Sequence, residues 1–207
     1  MSRTRSHWEE VHGRKPAKEA SWYRPHLERS LEWIAGLAAP SDAVIDVGAG
    51  TSTLVDDLLD RGFRDITVLD VSGAALAATR ARLGDRAGRV CWIEADLAAW
   101  QPARRYDVWH DRAVLHFMTT SAQQEAYVAA LRAGTRPGSL VLIGTFALDG
   151  PEQCSGLPVQ RYSAESLVAC LGGDFQLLDH ARDLHRTPWG SEQAFTFVAL
   201  RRLAGHG

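Results

Sequence analysis

Two acids and two glycines carry the chemistry this sequence can do. Asp46 lies inside the apolar run Ala43 to Val47, Gly48-Ala49-Gly50 turns the chain directly after it, and Asp70 closes a second apolar run, Ile66 to Leu69. Glycine has no Cβ, so Gly48 and Gly50 let the backbone bend tightly and approach a ligand closely. Thr51, Ser52 and Thr53 can cap the helix expected over Thr53 to Leu59, whose free N–H groups favour negative or electron-rich partners. A carboxylate after the second strand can accept both hydroxyls of a ribose. Strand, glycine turn, helix, strand and acid together predict a nucleoside-binding half-fold. The dinucleotide fingerprint Gly-x-Gly-x-x-Gly uses its last glycine for close helix packing around a pyrophosphate. Thr53 stands in that place and points to a cofactor without a pyrophosphate.

Asp46-Val47-Gly48-Ala49-Gly50-Thr51-Ser52 resembles the first motif of the class I S-adenosylmethionine-dependent methyltransferases, with Ser52 replacing a usual glycine. Asp70 matches the ribose-binding acid of that family, and Asp96 the acid that accepts the adenine amine. The opening HWEEV…SWY and the later DRAVLHF resemble one bacterial branch, which commonly carries glutamine where Arg24 stands. The resemblance implies that residues 1–40 form an arm and helix over the cofactor cleft and that 41–207 form one methyltransferase domain. It implies S-adenosyl-L-methionine as cofactor, becoming S-adenosyl-L-homocysteine. Its cofactor contacts would come from Trp22 and Tyr23 in the arm and from Asp46, Gly48, Ala49, Gly50 and Ser52 at the first turn. Asp70, Val71, Ala95, Asp96, Leu97, Asp111 and Arg112 would complete them from the later strand ends.

The elements around these residues read as α/β. Apolar runs at Val90 to Ala95, Tyr106 to Asp111 and Leu140 to Phe146 predict a third, fourth and fifth strand. Helices are expected at His26 to Leu37, Ala74 to Leu83, Ser121 to about Ala133, and Ser163 to about Leu171. Phe175 to His185 and Gln193 to Arg201 predict a closing antiparallel pair around the turn Arg186 to Ser191. The expected fold is a Rossmann-like, seven-stranded, mostly parallel sheet with helices on both faces and a C-terminal antiparallel hairpin. Residues 1–6 are expected to fray, HWEEVH to form a short turn or helix, and Lys15-Pro16-Ala17 to break it. The 207 residues suit one domain.

A net charge of −2 gives no general pull toward nucleic acid or an anionic membrane. No apolar run approaches the roughly 20 residues that span a bilayer. A polar N-terminus without a visible secretory signal makes the cytoplasm the expected location. The three cysteines Cys91, Cys154 and Cys170 include no Cys-x-x-Cys pair, so neither a disulfide framework nor a metal site is expected. Cys91 and Cys170 read as packing residues, and Cys154 lies in the Gly/Pro-containing stretch 147–162, a length of connection that is often functional.

Methyl transfer from a sulfonium is an in-line displacement with a neutral leaving group, so positioning matters most and a base is needed only for a protonated nucleophile. Candidates for catalysis are Asp111, His116 and His185. His116, Cys154, Arg161 and Trp189 are candidates for holding the acceptor. The expected acceptor is a small-molecule S, N or O nucleophile. A protein lysine, a non-catalytic cofactor-binding module and an NAD-dependent oxidoreductase are the competing readings, the last opposed by Thr53.

Overall fold

The structure is a computed structural model and describes residues 3–14 and 17–204. Helix α1, Arg3–Arg14, leads to a short 3₁₀ turn and then to α2, Glu28–Leu37. The chain continues through β1 Ala43–Val47, α3 Leu54–Asp60, β2 Asp65–Asp70, α4 Gly73–Leu83, β3 Val90–Glu94 and β4 Tyr106–Arg112. It ends with α5 Ser121–Gly134, β5 Thr135–Phe146, the small pair β6 Gln153–Cys154 and β7 Leu157–Pro158, α6 Ala164–Leu171, β8 Phe175–Arg186 and β9 Glu192–Arg202. The main sheet has seven strands in the order β3-β2-β1-β4-β5-β9-β8. The first five pair in parallel, and β9 runs antiparallel to both β5 and β8.

This is the expected fold, and its reasons are local. Every residue of β1 is buried, as a central parallel strand with both faces covered requires. Val44, Val68 and Val108 point into a core shared with α2, α3 and α4, while Ile45, Trp109 and Val141 point into one shared with α5 and α6. Capping boxes start α5 at Thr120/Gln123 and α6 at Ser163/Ser166. The order reverses between β1 and β4, which opens a crevice at the carboxyl ends of the central strands.

Three expectations need correction. Residues 3–6 are helical, because Arg5 pairs with Glu94 at the end of β3 and so ties the helix down; residues 1 and 2 lie outside the described residues, as do Lys15 and Pro16. Cys91 is exposed, because β3 is an edge strand followed by turns over 95–105 in place of a covering helix. The stretch 147–162, expected as one long connection, contains the short β6–β7 pair, and Gln160 N–H donates to the His116 carbonyl at 2.7 Å.

Candidate active site

The crevice between β1 and β4 holds a cleft with about 960 Å³ of space between its walls, the open solvent at its mouth included. Its floor is the glycine turn. Gly48 has φ +62°, and a Cβ there would stand 1.9 Å from a Val114 methyl carbon. Gly50 has φ +54°, and a Cβ there would press on the His12 ring at 3.2 Å. Both backbone strain and space therefore select glycine at these two places. Ser52 Oγ accepts from Leu54 N at 3.1 Å, while Thr53 carries no side-chain cap and donates to the Arg24 carbonyl at 3.3 Å.

Asp70 is buried at the end of β2, with one oxygen accepting from Gly50 N at 2.6 Å and the other from Ser72 N at 2.8 Å. Burial pushes its carboxyl up to about 6, although those N–H donors pull the other way. Asp96 lines the same end of the cleft with Val71, Ala95 and Leu97, and accepts from Ala98 N at 3.2 Å. On the other side of the strand reversal, Trp22, Phe117, Arg112 and Cys154 line the cleft. Cys154 is buried, which pushes its thiol up to about 11.

The arm covers this cleft from two anchorages. Thr4, Trp8 and His12, one helical turn apart, put one stripe of α1 into it. The Trp8 ring meets Phe117 edge-on at 5.1 Å and Trp22 at 6.1 Å. Beside that stripe, Glu9 accepts from Gly73 N at 2.6 Å and Ala74 N at 3.3 Å, satisfying free donors at the start of α4. The second anchorage is Ser21 to Arg24. His185 on β8 accepts from Arg24 Nε at 2.9 Å and donates from Nε2 to the Ser21 carbonyl at 2.6 Å. Arg24 also pairs with Asp183 at 3.0 Å, and Arg112 donates to the Trp22 carbonyl at 3.0 Å.

The cleft thus brings together Trp22, Asp46, Gly48, Ala49, Gly50, Ser52, Asp70, Val71, Ala95, Asp96, Leu97, Arg112 and Cys154 among the residues singled out in the sequence. Tyr23, Asp111, His116, Arg161, His185 and Trp189 are not among its lining. Asp111 points to the opposite face of β4, where it is buried and accepts from Tyr127 Oη at 2.6 Å, Val114 N at 2.8 Å and Leu115 N at 3.1 Å. His116 is fully buried behind Phe117, and burial beside Arg112 pushes its imidazole down to about 3. Both ring nitrogens of His185 are taken by the arm, and burial pushes it down to about 4. Arg161 pairs with Glu152 at 3.2 Å, and Trp189 sits exposed on the β8–β9 turn.

His12 and His110 line the cleft without having been singled out. For His12 the signal was the spacing Thr4-Trp8-His12 at successive helical turns. For His110 it was alternation along YDVWHDR, which puts His110 and Arg112 on one face and Asp111 on the other.

Comparison with known proteins agrees with this geometry. Residues 44–138 match the family described as "Methyltransferase domain". A SAM-dependent methyltransferase from Anabaena variabilis superimposes with a TM-score of 0.74 at 15% identity, covering 98% of this chain and 96% of that one. The 1,6-didemethyltoxoflavin-N1-methyltransferase of Burkholderia thailandensis, solved with S-adenosylhomocysteine, gives 0.68 at 21% identity, covering 94% of this chain and 82% of that one. Among curated proteins, the Bos taurus eEF1A lysine and N-terminal methyltransferase is 24% identical over 143 residues, 67% of this chain. The chain spans about a fifth of that relative's length (20%). Residues 44–138, a little under half of the chain, thus match a methyltransferase domain, and the chain as a whole shares the fold of solved S-adenosylmethionine-dependent methyltransferases.

Proposed function

We propose that this chain transfers a methyl group from S-adenosylmethionine to a small-molecule nucleophile held under the arm. One observation carries the choice of acceptor. The side of the cleft beyond Gly48 is lined by Trp22, Phe117, Met118 and Cys154, and the charge that stands with them is the cation Arg112. A lysine ammonium entering there would lose water without gaining a counter-charge. Aromatic walls suit a flat or apolar molecule instead.

In this reading Asp70 holds the ribose hydroxyls and Asp96 the adenine amine. The glycine turn lets the nucleoside lie against the backbone, and α1 with Trp22 closes over it. The arm excludes water and keeps nucleophile and methyl about 3 Å apart and aligned. The transferred carbon leaves a neutral thioether, so no charge has to be stabilised on the leaving group. None of Asp111, His116 and His185 presents a free proton acceptor to the cleft, and the Cys154 thiol stays protonated near neutral pH. An acceptor that is already nucleophilic, such as a neutral nitrogen or an acidic thiol, needs no base, whereas an alcohol would need one such as His12, which lines the cleft. Asp111, His116 and His185 act as scaffold, and Arg161 and Trp189 stay outside the acceptor site.

The curated relatives named for eEF1A lysine and N-terminal methylation support protein lysine as the second reading. Turnover of S-adenosylmethionine with a panel of amines, heteroaromatic nitrogens, thiols and alcohols, run beside lysine-containing peptides and followed by mass of the product, decides between them. Methyl appearing on peptide lysine and on no small molecule would overturn the choice. Binding of the cofactor with no methyl transferred to anything would favour a non-catalytic module.

A further inference from the structure

Three consecutive carbonyls of the glycine turn are held by side chains of one neighbouring helix. Thr79 Oγ1 donates to the Gly50 carbonyl at 3.1 Å. Arg82 donates from Nη1 to the Thr51 carbonyl at 3.0 Å and from Nη2 to the Ser52 carbonyl at 2.5 Å. The two side chains stand three apart on α4 and so share one face of it. Gly50 and Thr51 are buried, where a carbonyl left without a donor is costly. A peptide unit is planar, so fixing each carbonyl also fixes the N–H of the next residue.

The guanidinium is itself aimed. Asp56, on the first turn of α3, accepts from Arg82 Nη2 at 2.8 Å and from Nε at 3.2 Å. A planar fork can serve a carboxylate and two carbonyls in fixed directions, which a lysine ammonium cannot. Arg86, just past the end of α4, gives the contrast. It pairs with Asp60 at 2.7 Å and with Asp56 at 3.5 Å, and among the described residues it reaches no carbonyl of the turn. Tying α3 to α4 needs only pairs of that kind. Arg82 goes past its carboxylate to the backbone of the turn.

We propose that Arg82 is a positioning residue for the cofactor: aided by Thr79, it sets the peptide planes of Gly50, Thr51 and Ser52 in the shape that receives the nucleoside. The proposal rests on the cofactor reading above and adds where the shape of the turn comes from. Glycine frees the turn to bend, and a helix side chain 30 residues downstream decides which bend it keeps.

The test is calorimetry with S-adenosylhomocysteine, melting temperature and amide hydrogen exchange, all on the full chain. Arg82→Met should weaken S-adenosylhomocysteine by about tenfold or more, the size of one lost hydrogen bond to a charged group. Exchange over residues 51–54 should speed up by a similar factor while the β1 and β2 amides hold. Arg86→Met removes a neighbouring charge of the same sign and should change the affinity by less than about twofold. Arg82→Lys keeps a cation for Asp56 but lacks the fork, so it should recover the melting temperature and only part of the affinity. If Arg82→Met does not fold, Thr79→Val takes its place, with a loss of a few-fold in affinity and faster exchange at residue 51. Unchanged affinity in Arg82→Met, or an affinity that follows the melting temperature through every variant, Arg86→Met included, overturns the proposal. Failure of the unaltered protein to bind S-adenosylhomocysteine overturns the cofactor reading itself, and this proposal with it.

Discussion

Replacing His185 with alanine separates an anchor from a catalyst. The imidazole accepts from the Arg24 guanidinium and donates to the Ser21 carbonyl, so the substitution removes one hydrogen bond to a charged donor and one to a neutral acceptor. Such bonds contribute about 1.5–3 and 0.5–1.5 kcal/mol, so docking of Ser21 to Arg24 should weaken by about 2–4.5 kcal/mol. Arg24 keeps Asp183 and the Leu184 carbonyl, which favours the lower end. Amide hydrogen exchange over residues 20–24 should speed up by roughly 30-fold or more while the β1 and β4 amides hold. S-adenosylhomocysteine should bind more weakly, because opening the arm uncovers the cleft. His185→Gln, able to accept and to donate, should recover part of both. The same side chain sets a pH dependence. Its folded-state value is pushed below the ordinary 6.5 to about 4, so its contribution is complete above 6.5 and is lost as pH falls toward 4. Exchange protection at 20–24 should fall over that window in the unaltered protein and lose that slope in His185→Ala. Unchanged exchange together with collapsed turnover and unaltered cofactor affinity would refute this reasoning and make His185 catalytic.

Asp70→Ala should weaken S-adenosylmethionine by about 1.5–3 kcal/mol in calorimetry, the loss of hydrogen bonds to a charged group, and unchanged affinity would remove Asp70 from the ribose. Because burial raises Asp70 to about 6, affinity for S-adenosylhomocysteine should be flat above pH 7 and fall as pH drops through 6, a slope absent from Asp70→Asn. Glu9→Ala removes the carboxylate from the first amides of α4 and should weaken the cofactor by about 0.5–2 kcal/mol with little change in melting temperature; an equal fall in stability would show Glu9 is part of the core fold. His116→Ala should lower the melting temperature, and unchanged stability with a large loss of turnover would restore it as a base.

Much of the cleft was legible because its signals are local. The glycine turn, the acid at the end of β2 and the acid after β3 each lie within a few residues of the strand that places them. What failed to read was set by distance or by phase. Asp111 ends its strand as a ligand-holding acid should, but the alternation of β4 turns it toward Tyr127, and the neighbours His110 and Arg112 take the cleft. His185, a candidate for catalysis beside the closing turn, has both its nitrogens occupied by the arm, which is far away in sequence. Glu9 gave no sign of its role, because the amides it meets belong to a helix whose position the arm's own sequence does not encode. Ala113 offers a milder lesson: its φ of +72° beside the cleft is a conformation glycine adopts more easily, and no residue type announced it.

The two anchorages of the arm differ in kind, and salt should act on them unequally. The α1 end is fastened by the half-exposed Arg5–Glu94 pair and by Glu9 on the first amides of α4. The Ser21 to Arg24 end is fastened through the buried His185. Mobile ions reach the first far more readily than the second, since screening acts on exposed charge. Salt should therefore loosen α1 while the other end keeps its place, turning the arm into a door hinged at β8. Where departure of S-adenosylhomocysteine limits the rate, added electrolyte then speeds turnover as it weakens affinity.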